Sequence, residues 1–213
     1  FEGRTGDAVF VTIEGIEASG KSTLAESLAG RLQAEGRDVF VTREPGGTPV
    51  GDAVRVIFLD RSIRIEPLAE AFLINAARVQ HVARGIRPAL EAGRAVVCDR
   101  FIDSTLAYQG YGRGLDLAEL RQLSDRAAGG LMPDVTLLVD VPVEVSRERR
   151  RERGGAVDRL ESEADAFYER VRAGYLELAR GPRHRVIDGT LPVSEVLAQA
   201  LQALSEIGAP AAP

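Results

Sequence analysis

The chain has 213 residues, of which 45% are hydrophobic, so it can bury one sizeable core and we expect a single domain over residues 1–213. Its net charge of -5 argues against a protein that coats nucleic acid, and no apolar run reaches the ~20 residues that cross a bilayer, so we expect neither partner. Because Cys98 is the only cysteine, no internal disulfide can form, and we expect a reducing, cytoplasmic location.

Short apolar, β-branched runs alternate with longer segments of helical periodicity. Strands are predicted at Ala8–Glu14, Val39–Thr42, Ala95–Asp99, Val135–Asp140 and Arg185–Asp188. Helices are predicted at Lys21–Ala34, Val50–Leu59, Glu66–Glu91, Asp116–Ala127, Val143–Arg153, Ala164–Arg180 and Val193–Glu206. Strands this apolar are buried on both faces, which predicts an α/β fold with a five-stranded parallel sheet flanked by helices. The tail 208–213 is expected to be disordered.

The segment after the first predicted strand has the pattern of a phosphate-binding loop. Residues 15–22 read Gly-Ile-Glu-Ala-Ser-Gly-Lys-Ser, which matches G-x-x-x-x-G-K-[ST] between a strand and a helix. The backbone N–H groups of such a loop and the helix N-terminus bind the phosphates of a nucleoside triphosphate. The residues predicted to bind it are Gly15, Ile16, Glu17, Ala18, Ser19, Gly20, Lys21, Ser22 and Thr23.

The use of lysine supports this interpretation. Lysine occurs once in the chain, at position 21, whereas the other 26 basic residues are arginines. Arginine therefore serves wherever a general positive charge suffices. Because a compact ammonium group fits sites that are too narrow for a planar guanidinium, we predict that the phosphate site requires Lys21.

The segment after the third predicted strand narrows the class of reaction. A switch GTPase would need a guanine-reading Asn-Lys-x-Asp, which a chain with one lysine cannot contain, and a motor would carry Asp-Glu at the end of this strand. Here the strand ends in Asp99-Arg100. An arginine beside the acid on the magnesium side suits a second phosphate-bearing substrate, which favours a small-molecule kinase that uses ATP.

Four further motifs extend the pattern along the chain. They are Thr-Arg-Glu-Pro-Gly-Gly at 42–47, Asp-Arg-Phe at 99–101, Ser-Thr-Leu-Ala-Tyr-Gln-Gly at 104–110 and Asp-Arg-Leu-Glu at 158–161. With the phosphate loop, they resemble bacterial thymidylate kinases from about Val9 to Leu201. The resemblance implies a P-loop NTPase fold of the nucleoside monophosphate kinase type with a lid, phosphorylation of dTMP to dTDP for dTTP synthesis, Mg²⁺ as cofactor and a homodimer.

The resemblance also implies how the acceptor's phosphate and sugar are held. Arg55 and Arg100 would hold the 5'-phosphate, with Arg43 near the same end, since guanidinium groups pair bidentately with phosphate oxygens. Glu17 would bind the sugar 3'-hydroxyl. Tyr108 would lie where a ribose 2'-hydroxyl projects, which favours the deoxy sugar.

The base would be read by a second set of side chains. Arg78 would donate to thymine O4, Gln109 would pair with the N3 edge and Thr105 would support the base. The spacing of Thr105, Tyr108 and Gln109 (i, i+3, i+4) places all three on one helical face. One position departs from the family pattern, because Ile74 stands where the family usually has a phenylalanine under the thymine ring.

A lid is predicted at about 147–161, where arginine is densest. Residues 16–19 of the phosphate loop include no basic side chain, so the charge that stabilises the moving phosphoryl group must come from elsewhere. Arg149 and Arg153, one helical turn apart, are the candidates. Gly154-Gly155 is the predicted hinge.

The predicted metal ligands are Ser22, which binds Mg²⁺ directly, and Asp99, which contacts it through water. No general base is required, because a phosphate oxygen is already a nucleophile near neutral pH. The predicted catalytic residues are Lys21, Asp99, Arg100, Arg149 and Arg153. His81 and His184 have no cysteine partners, so a zinc site is not expected.

Several alternatives stay open from the sequence. Another nucleoside monophosphate or deoxynucleoside kinase would share the scaffold, and a non-catalytic ATP-binding domain would share the loop. The arginine run could be a solvated helix face or a contact surface for nucleic acid. Among single residues, Arg78 could be a solvated charge, Tyr108 a core aromatic and Arg43 a structural arginine. The alanine-rich stretch Ala71–Ala83 is the predicted dimer face.

Overall fold

The structure, a computed structural model, describes residues 8–154 and 158–207. Its sheet contains the strands β1 (Phe10–Glu14), β2 (Val39–Arg43), β3 (Ala95–Asp99), β4 (Val135–Asp140) and β5 (His184–Asp188). In this part of the chain the five strands lie in the order β2-β3-β1-β4-β5, and every neighbouring pair is parallel. The predicted α/β fold with a five-stranded parallel sheet is therefore confirmed. The predicted tail 208–213 and the hinge residue Gly155 lie outside the described residues.

The helices occupy the segments between the strands. They are α1 (Lys21–Ala34), α2 (Pro49–Leu59), α3 (Pro67–His81), α4 (Arg87–Glu91), α5 (Ile102–Thr105), α6 (Leu117–Ala128), α7 (Val143–Arg153), α8 (Asp165–Leu178) and α9 (Val193–Ile207). Two π-helical segments, Val82–Ile86 and Leu106–Gly112, join α3 to α4 and continue α5. None of the described helices is both long and apolar enough to cross a membrane.

Apart from the long segment Glu66–Glu91, the predicted strands and helices agree with the structure to within two residues at each end, and three local differences have a structural cause or consequence. The helix expected over Glu66–Glu91 is interrupted by the π-helical turn at Val82–Ile86. The turn expected from the spacing of Thr105, Tyr108 and Gln109 is present, but most of it is wound as a π-helix. Asp116 lies just outside α6, because its side chain caps the helix by accepting a hydrogen bond from the Glu119 N–H.

The sheet is buried on both faces, as its apolar strands predict. On one face α1 and α9 pack on the strands through a cluster that includes Leu28, Val97 and Ile187. On the other face α3, α4 and α6 form a cluster with Phe10 and Leu120. Burial of these apolar side chains on both faces of the sheet is the main contribution to the stability of such a fold.

The strand register determines where the site lies. In the central strands, Ile13 of β1 lies beside Asp99 of β3 and Glu14 lies beside Leu138 of β4. The loops that leave the carboxyl ends of these strands therefore meet at one edge of the sheet, which is where open α/β sheets bind ligands.

Candidate active site

The loop between β1 and α1 has the backbone conformation that a phosphate cradle needs. Gly15, Ala18 and Gly20 have φ angles of 144°, 54° and 104°. A Cβ atom at Gly15 would lie 2.5 Å from the carbonyl oxygen of Val139, so this position has room for glycine alone. The residues that follow start α1, whose unpaired N-terminal N–H groups face the same space.

Lys21 is held inside this loop. Its Nζ donates to the Ile16 carbonyl oxygen at 2.6 Å, and the side chain is buried. Burial, and then the charge of Arg100, lower the pKa of Lys21 to about 8. A ligand with dense negative charge would raise this pKa again by stabilising the ammonium form. The site is therefore suited to such a ligand.

Ser22 and Asp99 form the candidate magnesium site. The Ser22 hydroxyl donates to Asp99 Oδ2 at 2.7 Å, and Asp99 Oδ1 is buried without a partner within residues 8–154 and 158–207. Hydroxyl and carboxylate oxygens are the ligands that Mg²⁺ prefers, and it completes its shell with water and substrate phosphates. Among the described residues, no group of three or more His, Cys, Asp or Glu side chains is arranged to hold a metal ion.

A cavity of about 670 Å³ opens over the loop. Its wall includes Glu17 to Leu24 of the loop and the first turn of α1, then Asp99 and Arg100, and the lid arginines Arg149 and Arg153. This volume is in the range of nucleotide-sized ligands. The structure thus brings the predicted loop, metal and lid residues around one space.

A second, smaller cavity of about 80 Å³ lies beside the first. Its apolar wall includes Phe58, Ile74, Phe101 and Leu160. Its polar wall contains Glu17, Glu44, Arg55, Arg78, Arg100, Ser104, Tyr108, Gln109 and Asp158. Five of these polar residues, Glu17, Glu44, Arg55, Arg100 and Asp158, line both cavities. The two cavities are therefore neighbours that share a charged boundary.

Arg100 is the centre of that boundary. Its Nη2 donates to Glu17 at 2.7 Å and to the Tyr108 hydroxyl at 3.2 Å, and its Nη1 donates to the Gly15 carbonyl at 3.0 Å. Its backbone has a φ angle of 73°, which is uncommon outside glycine and fits a residue held by its surroundings. Burial would raise the pKa of Glu17, but the charges of Arg100 and Lys21 outweigh it and hold this pKa below its ordinary value.

Arg78 is fully buried and makes four hydrogen bonds within the protein, so the alternative of a solvated helix charge is wrong. It donates from Nε to Glu44 at 2.8 Å, from Nη1 to Asn75 at 3.0 Å, and from Nη2 to the Phe101 carbonyl and to Thr105. Of the five N–H groups of a guanidinium, one is left for a ligand when the described residues are counted. Thr105 lies behind Arg78 and not on the cavity wall, so any support it gives to a base passes through Arg78.

Gln109 lines the smaller cavity, and one end of its side-chain amide is already paired. Its Nε2 donates to Glu70 Oε2 at 3.0 Å. Its Oε1 is buried and has no hydrogen-bond partner in the described part of the chain. A buried acceptor of this kind costs free energy unless a ligand donates to it.

Comparisons with known proteins identify the family. The thymidylate kinase family model matches residues 13–200. The chain is 50% identical over 205 residues to a thymidylate kinase of Desulfovibrio desulfuricans, covering 92% of this chain and 94% of the relative. It is 52% identical over 196 residues to one of Thermomicrobium roseum, covering 91% and 92%. The crystal structure of thymidylate kinase from Ehrlichia chaffeensis has a TM-score of 0.75 at 33% identity, covering 93% of this chain and 99% of that chain.

The chain belongs to the thymidylate kinase family. The fold agrees with this assignment, because the similar crystal structure covers nearly the whole chain. Family membership makes the chain an enzyme of the kinase class. The predicted resemblance is thereby confirmed.

The two lid arginines are held differently. Arg149 donates to the Gly189 carbonyl at 2.9 Å and to the Ser19 carbonyl at 3.3 Å, so its guanidinium already lies against the phosphate loop. Arg153 lines the same cavity but forms an ion pair with Glu161, and its side chain is 56% exposed. Arg149 is thus the better positioned of the two in this structure.

The remaining predicted residues lie at or near the boundary between the cavities. Arg55 lines both and donates to the Pro45 carbonyl at 3.3 Å. Arg43 lines the larger cavity, where the phosphate loop is, rather than the smaller one. Tyr108 is both a core aromatic and a polar contact, since its ring is buried while its hydroxyl meets Arg100. Ile74 lies on the wall of the smaller cavity, as the family pattern implies.

Three buried acids of the site were not among the predicted residues. Glu44 pairs with Arg78 and His81, so His81 has a structural partner in place of a metal. Glu14 accepts hydrogen bonds from the Phe101 N–H and the Ser104 hydroxyl. Glu70 holds Gln109. Only Glu14 carried a sequence signal, because a carboxylate ends the otherwise apolar strand β1. Glu44 follows the exposed Arg43, and the position of Glu70 four residues before Ile74 on α3 does not reveal its partner.

Proposed function

We propose that the chain transfers the γ-phosphoryl group of ATP to the 5'-phosphate of dTMP with Mg²⁺, in the cytoplasm and as a step of dTTP synthesis. The family assignment supports the reaction from dTMP to dTDP with ATP as the donor. The observation that carries the assignment of roles is the shared boundary of the two cavities. Glu17, Arg55 and Arg100 line both, so a donor in one and an acceptor in the other would meet there.

In this proposal the larger cavity holds ATP. The loop amides bind the phosphates, and Lys21 contacts their outer oxygens. Ser22 and Asp99 would hold Mg²⁺, which would supply positive charge to offset that of the triphosphate. Arg100 at the boundary is placed to orient the acceptor phosphate.

The transfer itself needs positioning and positive charge more than covalent chemistry. An oxygen of the dTMP phosphate bonds to the γ-phosphorus of ATP, while the bond from that phosphorus to the bridging oxygen of ADP breaks. Charge on the moving phosphoryl group is stabilised by Lys21 from the loop and Arg149 from the lid. Arg153 adds to this if its ion pair with Glu161 opens.

The smaller cavity reads a base with the hydrogen-bonding pattern of thymine. Gln109 Oε1 is an acceptor, which matches the N3–H of thymine, and the remaining N–H of Arg78 is a donor, which matches O4. Cytosine has an acceptor at N3 and an amine at C4, so both contacts would be mismatched. Uracil has the same pattern as thymine, so the apolar wall of Phe58, Ile74 and Leu160 must recognise the 5-methyl group.

We assign the homodimer contact to α2 and α3. Leu68, Phe72 and Val79 lie on one stripe of α3 and are 51%, 55% and 51% exposed, and Val56 on the neighbouring α2 is 71% exposed. An apolar patch of this kind usually marks an interface. Phe72→Glu should shift the light-scattering mass from two chains to one, whereas the matched change Leu176→Glu on α8 should not. A wild-type protein with the mass of one chain would refute the dimer.

The proposed function is tested by measuring ADP release from ATP and Mg²⁺ with dTMP, dUMP, dCMP and AMP in turn. We expect the highest kcat/KM with dTMP, a lower value with dUMP and the lowest values with dCMP and AMP. Equal use of dCMP would favour another nucleoside monophosphate kinase. Absence of ADP release with every acceptor, from a protein that binds ATP, would indicate a non-catalytic ATP-binding domain.

A further inference from the structure

We propose that Glu70 determines the base specificity of the acceptor site by fixing the orientation of the Gln109 amide, and that it connects this reader to the end of the lid. The inference rests on the proposed function, since it concerns how the same acceptor cavity distinguishes thymine from cytosine. Glu70 does not line the cavity. It therefore acts as a positioning residue and not as a contact to the base.

Glu70 is a buried carboxylate that gathers donors from separate segments. Its side chain is 1% exposed. Its Oε2 accepts from Gln109 Nε2 at 3.0 Å, and both of its oxygens accept from Arg113, at 3.2 and 3.3 Å. Arg159, in the C-terminal part of the predicted lid (residues 158–161), donates to Oε1. A carboxylate in this position is satisfied by its neighbours, so it is held in one geometry.

The contact to Gln109 decides which end of the amide faces the cavity. A carboxylate accepts hydrogen bonds and donates none, so the NH₂ group of Gln109 must turn towards Glu70. The carbonyl Oε1 then faces away from it, and this is the buried atom without a partner in the described chain. Since Gln109 lines the cavity, its free acceptor selects bases that carry a hydrogen on N3.

The contact to Arg159 connects the same carboxylate to the lid. The Arg159 backbone N–H donates to the Leu59 carbonyl at 3.1 Å, its Nε donates to the Phe58 carbonyl at 2.8 Å, and its guanidinium lies 4.8 Å from the centre of the Phe58 ring. Its neighbours in sequence, Asp158 and Leu160, both line the acceptor cavity. Glu70 therefore holds the base reader and the cavity's lid-side wall in one arrangement.

The change Glu70→Gln tests the contact to Gln109 separately from the contact to Arg159. A glutamine has the same shape but can present its NH₂ group to Gln109, and the Gln109 amide can then reverse and offer its own NH₂ group to the cavity. A donor at that place suits the N3 acceptor of cytosine. We expect the ratio of kcat/KM for dTMP to kcat/KM for dCMP to fall by about tenfold or more.

A cycle with Gln109→Ala tests whether Glu70 acts through the amide. Gln109→Ala should itself lower the ratio, and adding Glu70→Gln to it should change the ratio no further, because the group that Glu70 orients has been removed. Arg113→Gln is the matched control. It removes another partner of the same carboxylate and leaves Gln109 in place, so we expect the ratio to stay within about twofold of the wild type.

The lid contact is tested by Arg159→Gln. This change removes the contact that holds the lid side of the cavity, so we expect KM to rise for dTMP and dCMP alike. Because the contact between Glu70 and Gln109 stays intact, we expect the ratio of kcat/KM for dTMP to kcat/KM for dCMP to stay constant. If Glu70→Gln alone does not fold, because it leaves buried arginines without their partner, the comparison is made between Arg113→Gln and the double variant Glu70→Gln/Arg113→Gln.

The outcomes separate this inference from the proposed function. A wild-type protein that prefers dTMP, together with a Glu70→Gln variant that keeps the wild-type ratio, overturns the role of Glu70 and leaves the proposed function standing. An equal fall of the ratio in the presence and absence of Gln109 also overturns it, because Glu70 would then act elsewhere. A wild-type protein that does not use dTMP overturns the proposed function itself.

Discussion

The two cavities of this enzyme are built in opposite ways. The larger is formed around one continuous segment, 15–23, the phosphate loop and the start of α1, whose backbone supplies the binding groups and whose glycines permit its turns. The smaller is formed mainly by side chains from α2, α3, the π-helical segment after α5 and the C-terminal part of the lid. The difference teaches that a phosphate site is a local property of the chain, whereas a base-reading site depends on how distant segments pack.

The cavities also differ in size. At about 670 Å³ the larger is open to a nucleotide as it stands, whereas the smaller holds about 80 Å³ and is well below the ~300 Å³ of ordinary ligand pockets. Asp158 and Leu160, in the C-terminal part of the lid, form part of its wall. We therefore expect dTMP to enter by displacing this segment, while ATP requires no such movement.

The largest effect is expected at the centre of the larger cavity. Lys21→Ala should lower kcat by about 10² or more, because one charge-stabilising group is lost from the transition state. Lys21→Arg should not restore it, since the buried site where Lys21 Nζ donates to the Ile16 carbonyl fits a compact ammonium. Initial rates of ADP release measure both, and near wild-type turnover by Lys21→Arg would contradict the role given to the sole lysine.

The lid comes next. Arg149→Ala should reduce kcat by about 10², because its guanidinium already contacts the loop and the Gly189 carbonyl. Arg153→Ala should cost less, about tenfold, because Arg153 is half-exposed and paired with Glu161. Single-turnover rates compare the two. A larger loss in Arg153→Ala would show that the lid rearranges and exchanges the two roles.

A pH dependence should also originate on the ATP side. The protonated form of Lys21 binds phosphate, and its pKa is lowered to about 8, so the free enzyme loses this charge as the pH rises through that value. The kcat/KM for ATP should therefore fall above pH 8, approaching about tenfold per pH unit. The kcat profile should bend at a higher pH, because the bound triphosphate stabilises the proton. A flat kcat/KM profile in this range would refute the assignment, and Lys21→Ala supplies the control without the group.

The smallest effect is expected on the acceptor side, at Ile74. Ile74→Phe would add an aromatic face beneath the base, worth ~0.5–1.5 kcal/mol, and should lower KM for dTMP by about two- to tenfold. The competing effect is overpacking, since Ile74 is 8% exposed on the wall of a narrow cavity. Steady-state kinetics measure it. An unchanged KM would mean that Phe58 and Phe101 already provide the aromatic contact, and a higher KM would mean that the larger ring overpacks the wall.

The contrast between the cavities explains what the sequence could predict. The strands and the phosphate loop follow from local patterns, because apolar runs and glycine positions act within a few residues of each other. The acceptor residues could be placed only through the family resemblance. Even then the partners of Arg78 and Gln109 could not be foreseen, since Glu44 and Glu70 are 34 and 39 residues away from them in the chain. Contacts of this separation are decided by helix packing and not by local pattern.

The central claim is that a triphosphate surrounds Lys21 while thymine is read by Gln109. A crystal structure with a non-hydrolysable ATP analogue, Mg²⁺ and dTMP tests it most directly. We predict the γ-phosphate within hydrogen-bonding distance of Lys21 Nζ and thymine N3 within hydrogen-bonding distance of Gln109 Oε1, on opposite sides of Arg100. An analogue bound away from the loop, or a thymine ring that does not meet Gln109, would contradict the account.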